Sequence, residues 1–321
     1  MVGTVWRAVR PQNGFQRLLW WAGTLLLASG AVHLVVALVD GGSWWGPVSW
    51  RKPVVFGLSM GLLLWSMVWA LRRQAQRWWV TVPAGLVGAS LVLEVALITM
   101  QRWRGVPSHF NAATAFDSAV WSVIGMTIIV LTLGVLWSLV ASLVRFRGSA
   151  ATRIAVVAGF AAVLVAGAIG KDMAAIGEAA VDATGRVPDD ILFGAAGSAK
   201  LAHAVGLHAI QVLGVLAILL DAGRLRARAA AWAMAVATTG YAAAFGAVTA
   251  TAYAGWAPHD PTPAMAVLLV GGAVAVAVVG VVALWAVPSR VASGDADRDL
   301  ERELGEAADA PVPAVARRAE A

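Results

Sequence analysis

The sequence predicts an all-α, polytopic transmembrane helix bundle of about eight spans, and three observations carry that prediction. Of 321 residues, 60% are hydrophobic and only 13% are charged, with a mean hydropathy of +0.76. Such a composition belongs to chains dissolved in lipid rather than in water. The apolar residues fall into runs long enough to cross a hydrocarbon core, separated by short polar connections. Those connections alternate between basic and acidic character, as the loops of a chain crossing back and forth should.

The runs lie at roughly 17–40, 53–71, 78–100, 118–144, 153–171, 200–220, 229–255 and 264–287. Arg7/Arg10/Arg17, Arg72/Arg73/Arg77, Arg145/Arg147/Arg153 and Arg224/Arg226/Arg228 fall on one side. The 171–200 connection, with Asp172, Glu178, Asp182, Asp189 and Asp190, falls on the other. The positive-inside rule then makes both termini cytoplasmic, and a bacterial plasma (inner) membrane is the expected location. The apolar run after the basic lead is long enough to span and stay, so no cleavable signal peptide is expected. Residues 1–287 read as one transmembrane helical domain. Residues 288–321 read as a disordered polar cytoplasmic tail, with a short helix around Asp299–Leu304. Spans seven and eight are rich in Ala, Gly and Val, which predicts close structural packing.

The chain has no cysteine, which excludes disulfides, thiolate catalysis and cysteine-ligated metal. Its net charge of +6 reports topology rather than nucleic-acid affinity, and no nucleic-acid partner is expected. Membrane lipids are the expected surroundings; the sequence does not specify an oligomeric state.

Polar residues inside the spans point to a site. His33 precedes Asp40 by seven residues, about 10 Å below the outer surface at 1.5 Å per residue. Glu94 and His208 lie at similar depth on two other spans, whereas the inner halves contain no Asp, Glu, Lys or His. A carboxyl as deep as Glu94 must be protonated or paired, and His208, with Gln211 on its face, is the expected partner. His203 and His208 are five residues apart, about 140° in azimuth on a regular helix, so one metal takes both only if Gly206 breaks the helix. His203 is expected instead to meet His109 and Asp117 at the rim. Ser29, Ser59, Ser66 and Ser90 read as serines bonded to their own backbone.

Outer loops should be poor in basic residues, yet Arg51, Lys52, Arg102 and Arg104 lie there. One reading is a headgroup belt, with Trp44, Trp45, Trp50 and Trp103 as its aromatic members. The other is an anion site continuous with Lys200 and the histidines. The loop QRWRGVPSHFN adds Ser108, His109 and Asn111 before Asp117 opens span four.

RKPVVFGLS (51–59), LEVALITMQRWRGVPSHFN (93–111) and KLAHAVGLHAIQ (200–211) resemble the signature blocks of an uncharacterised family of bacterial multi-pass membrane proteins. The shared features are an RG-x-x-SHFN loop, an AH-x-x-G-x-HA-x-Q helix and a Lys-Pro opening the second span. The resemblance covers spans two to six. That family has Asp-Leu-Arg before the AH block where this chain reads Ser198-Ala199-Lys200, which implies that the arginine's role has passed to Lys200. The resemblance implies no activity.

Three functional classes follow. The leading one is a membrane redox protein binding haem b or a quinone, with His33 and His208 as axial ligands or polar contacts and Arg51, Lys52, Arg102, Arg104, Lys200 and Gln211 holding the periphery. The second is a metal-dependent hydrolase acting on a lipid-like substrate. A divalent metal such as zinc would sit on His109, His203 or His208 with Glu94 or Asp117, and Ser108 or Asn111 would polarise the substrate. The third is a transporter or proton-linked carrier using Glu94 and His208, against which stand the missing inverted repeat and the apolar inner halves.

Overall fold

The computed structural model describes residues 2–74 and 76–287, which belong to one compact unit. The expected 288–321 tail lies outside the described residues. Among these residues the chain is all-helical, and eight helices are long and apolar enough to cross a membrane: an integral, multi-pass helical membrane protein. The elements are α1 (Val2–Val9), α2 (Gly14–Asp40), α3 (Arg51–Leu71), α4 (Trp78–Trp103), α5 (Ala115–Val144), α6 (Ala150–Thr184), α7 (Ala199–Ala222), α8 (Ala227–Tyr253) and α9 (Pro263–Ala286).

Capping chemistry sets several boundaries. Asn13 Oδ1 accepts from Gln16 N–H at 2.8 Å to start α2, and Gly41 ends it with φ of 64°. Ser149 and Gly185 (φ 68°) do the same for α6. That helix has 35 residues, about 52 Å at 1.5 Å per residue, well beyond a hydrocarbon core of about 30 Å. Its last turns are the stretch expected as loop after residue 171. MAAIGEAAVDA is rich in good helix formers, so the helix continues into the polar zone. The short α1 lies within the segment read only as a basic lead.

Because the long helices alternate in direction, their connections fall on two faces. The near face carries the N-terminal helix and residues 72–77, 145–149 and 223–226. The far face carries residues 41–50, 104–114, 185–198 and 254–262.

Small residues and one proline determine how neighbours pack. Glycines at 23 and 30 of α2 meet those at 57 and 61 of α3, so close that a Cβ on Gly57 would lie 2.8 Å from Gly30 Cα. Gly240 of α8 meets Gly272 of α9 in the same way. In α4, Pro83 has no N–H to give the carbonyl of Trp79, and the indole of Trp137 on α5 donates to that carbonyl instead. The parallel helices α3 and α7 pack side by side, with α2 on the other side of α3.

Candidate functional site

At the far end of α2, His33 is buried and fully engaged. Its Nδ1 faces the Ser29 carbonyl at 2.7 Å and so carries the proton, and Nε2 accepts from the Trp103 indole at 3.0 Å. Trp50 lies 5.8 Å from the imidazole and donates to Asp40 at 2.7 Å. Arg102 pairs with Asp40 at 3.3 Å and stacks on Trp50 at 3.9 Å. Trp50 is therefore a buried, hydrogen-bonded strut, not a member of an aromatic belt. No lone pair of His33 remains for iron, and α3 stands between α2 and α7. The expected pairing of His33 with His208 as haem ligands is corrected here: equal depth did not mean a shared azimuth.

The 104–114 loop is held by a second knot. Asp117, 2% exposed at the start of α5, accepts from Arg104 at 2.6 Å, Gln101 at 3.0 Å and the Thr114 hydroxyl at 2.7 Å. Arg104 also donates to Gln101. Asn111 Nδ2 donates to the Pro107 carbonyl at 3.1 Å, and its Oδ1 accepts from Ala113 N–H at 3.1 Å. Asp117, Arg104 and Asn111 thus shape the loop. Phe110, at φ 60°, is the one non-glycine with positive φ among the described residues, and its ring tip packs on Gly177 of α6. Ser108 Oγ lies 2.9 Å from His109 Nδ1. The His109 ring sits among Phe56, Phe110 and Trp121, with centroids 5.3–6.0 Å away. Burial first, and then the Lys52 ammonium, push its pKa down to about 3, so the imidazole is neutral at physiological pH. With Asp117 engaged elsewhere, no acid among the described residues hydrogen-bonds this imidazole as a hydrolytic triad requires.

The basic residues divide into two groups. Arg102 and Arg104 have their own acids. Arg51, Lys52 and Lys200 gather elsewhere: Lys52 feels both of the others as like charges and is in turn felt by His109. Asp190 pairs with Lys200 and faces Arg51, so one carboxylate serves two of the three cations, and Lys52 is left with like charges as neighbours. Arg51 lies 5.2 Å over Trp45, while its buried Nε has no hydrogen-bond partner.

Below this cluster runs the seam between α3 and α7. Ser59 Oγ meets His208 Nε2 at 3.3 Å, so Ser59 bridges helices rather than bonding its own. Ser66 behaves as expected and donates to Leu62 O at 2.8 Å. Gln211 lies nearer the other face, its amide nitrogen donating to Leu207 O and His208 O at 3.1 Å each. Three further expectations are corrected. His203 turns to α6, bonding the Ala166 carbonyl at 2.7 Å, instead of meeting His109 and Asp117. Glu94 is 1% exposed and makes no hydrogen bond to His208 or His33, and its Oε2 has no partner. His109, His203 and His208 face three different neighbours, and among the described residues no three His, Asp or Glu gather as a metal-binding set.

Sequence reasoning passed over Phe56 and Trp121, and gave Trp50 and Ser59 only structural roles. The Lys52–Ser59–Ser66 heptad spacing was the signal for Ser59, since it marks one face of α3. The aromatic residues carry no comparable signal among 16 tryptophans. The chain matches no family profile, and comparison with curated proteins and with solved structures likewise returns no match.

Proposed function

We propose that this membrane protein binds an anionic, amphipathic small molecule at its far face. Its acid group would meet Arg51, Lys52 and Lys200, and its apolar part would follow the α3/α7 seam past Ser59 and His208. The observation that supports this reading is the gathering of Arg51, Lys52 and Lys200 around a single acid, Asp190, that serves only Arg51 and Lys200, at helix starts on the face expected to be poor in basic residues. Neutral His109 beside Lys52 adds a hydrogen-bonding edge without a fourth charge. The test is thermal stabilisation of purified protein by dodecyl phosphate, with dodecanol as the uncharged control. A ligand at a hundred times its Kd stabilises by about 2.7 kcal/mol. Lys52→Gln should weaken dodecyl phosphate binding by about tenfold and leave dodecanol unaffected. Equal binding of the two compounds, or no effect of Lys52→Gln, would sink the proposal.

The haem b and zinc readings lose support with their ligand sets. We also propose that the far face is outside and both termini are cytoplasmic, in a bacterial plasma membrane. In this cysteine-free chain, a cysteine at Thr184 or Pro258 should label from outside, and one at Ser149 or Ala227 should not. The opposite pattern would invert the topology.

A further inference from the structure

The near face holds a second feature that the far-face reading leaves unused. Between α1, α2, α3 and α7 lies a cavity of about 470 Å³, walled by Trp6, Trp20, Trp65 and Trp69, with Ser66 and Gln211 as polar lining groups. Trp20 and Trp65 stack in parallel at 4.2 Å, and Trp6 meets Trp20 edge-on at 5.4 Å, which makes the wall rigid. Leu62 and Val215 on its rim are 37% and 43% exposed, so the cavity opens on the apolar flank of the bundle. Its volume is in the range of sites that hold small organic molecules, about 300–1,000 Å³.

Beyond the lining residues Val9 and Trp69, where α1 and α3 end, the chain is basic. Arg72 donates to the Arg7 carbonyl at 2.7 Å and to that of Ala8, which ties the end of α1 to the end of α3. Both acceptors are neutral, so the guanidinium keeps its charge. Arg73 and Arg10 act on it as like charges. Among the described residues no carboxylate forms an ion pair with Arg7, Arg10, Arg72 or Arg73. Asp221, the acid at this end of α7, instead accepts from the hydroxyls of Ser149 and Thr152 at 2.6 Å each.

From this juxtaposition we propose that the near-face cavity is a binding site for an anionic phospholipid, with one acyl chain among the tryptophans and the phosphate on the arginine rim. An apolar slot opening to the flank suits a chain that arrives from the bilayer, and a cluster of like charges at headgroup level selects the anionic lipid over a zwitterionic one. Each basic residue close to the surface adds about a fivefold preference for anionic lipid. Among the described residues no carboxylate pairs with this rim, so a choline group finds no partner there.

The experiment places the full chain in nanodiscs of equal phosphatidylglycerol and phosphatidylcholine and counts retained lipids by native mass spectrometry after detergent extraction. The wild-type protein should retain phosphatidylglycerol over phosphatidylcholine by at least about fivefold. Arg10→Gln combined with Arg73→Gln should abolish most of that preference; neither side chain makes a hydrogen bond that folding would miss. Val215→Trp, which fills the slot from its exposed rim, should reduce retention of both lipids. Lys52→Gln should change neither result, which separates this site from the far-face one. Equal retention of the two lipids by the wild type would overturn the proposal. So would a preference that survives the arginine changes, or a bound lipid that survives Val215→Trp.

Discussion

Gly57→Ala should destabilise the bundle by about 2–3 kcal/mol, and Gly57→Leu should leave no folded protein to purify. The added Cβ would lie 2.8 Å from both Cα and N of Gly30 and 2.9 Å from the Leu26 carbonyl. All three are backbone atoms, which cannot swing aside as a side chain can, so α2 and α3 would have to separate along their shared length. In lipid no hydrophobic force draws helices together. Close van der Waals contact carries the association, and it falls away steeply with distance. Unfolding in mixed micelles with increasing denaturing detergent would measure the loss. Gly125→Ala and Gly246→Ala are the controls, because a Cβ there meets nothing within 4 Å. They should be neutral or stabilising by up to about 1 kcal/mol through helix propensity. Should Gly57→Ala prove as stable as these, the glycine contact is not what joins the two helices.

Asp117→Ala should cost about 3 kcal/mol, and Arg104→Gln clearly less. The asymmetry follows from exposure. The Asp117 side chain is 3% exposed and accepts from Arg104, Gln101 and Thr114, so its loss strands the amide N–H of fully buried Gln101 and leaves the capping hydroxyl of Thr114 without its acceptor. The Arg104 side chain is 37% exposed and can turn to water when its partner goes. Asp117→Asn keeps an acceptor for Thr114 and should fall between the two. The knot also anchors the loop that carries Ser108 and His109. Asp117→Ala should therefore expose the aromatic surroundings of His109, measurable as faster hydrogen exchange over residues 104–114. Equal losses from Asp117→Ala and Arg104→Gln would show that the pair acts as a simple surface ion pair.

Which side-chain groups meet was less legible than where the helices are. Lys52 and Lys200 were singled out from separate helices, and both join the far-face cluster with Arg51 and His109. Arg102 and Arg104 came from the same reasoning and do not join it. A residue count in a loop reports an excess of charge, but Asp40 and Asp117 absorb two of those charges, and only the folded loops reveal that. Ser59 illustrates the opposite error. Serine in a membrane helix commonly bonds its own backbone, as Ser66 does, but Ser59 faces α7 and meets His208.

By itself the sequence determined the solvent and the plan: an integral membrane protein with eight crossings and basic residues concentrated at particular connections. These are properties of single segments, because removing a backbone or a charge from water carries a cost that depends on composition and length alone. The tertiary structure decided which polar groups became partners. His33, Glu94 and His208 have similar depths, yet His33 is closed off by Trp103, His208 faces Ser59, and Glu94 meets neither. Partnership depends on rotation about each helix axis and on the order of neighbours. Those follow from glycine contacts such as Gly30 on Gly57, formed between segments distant in the chain.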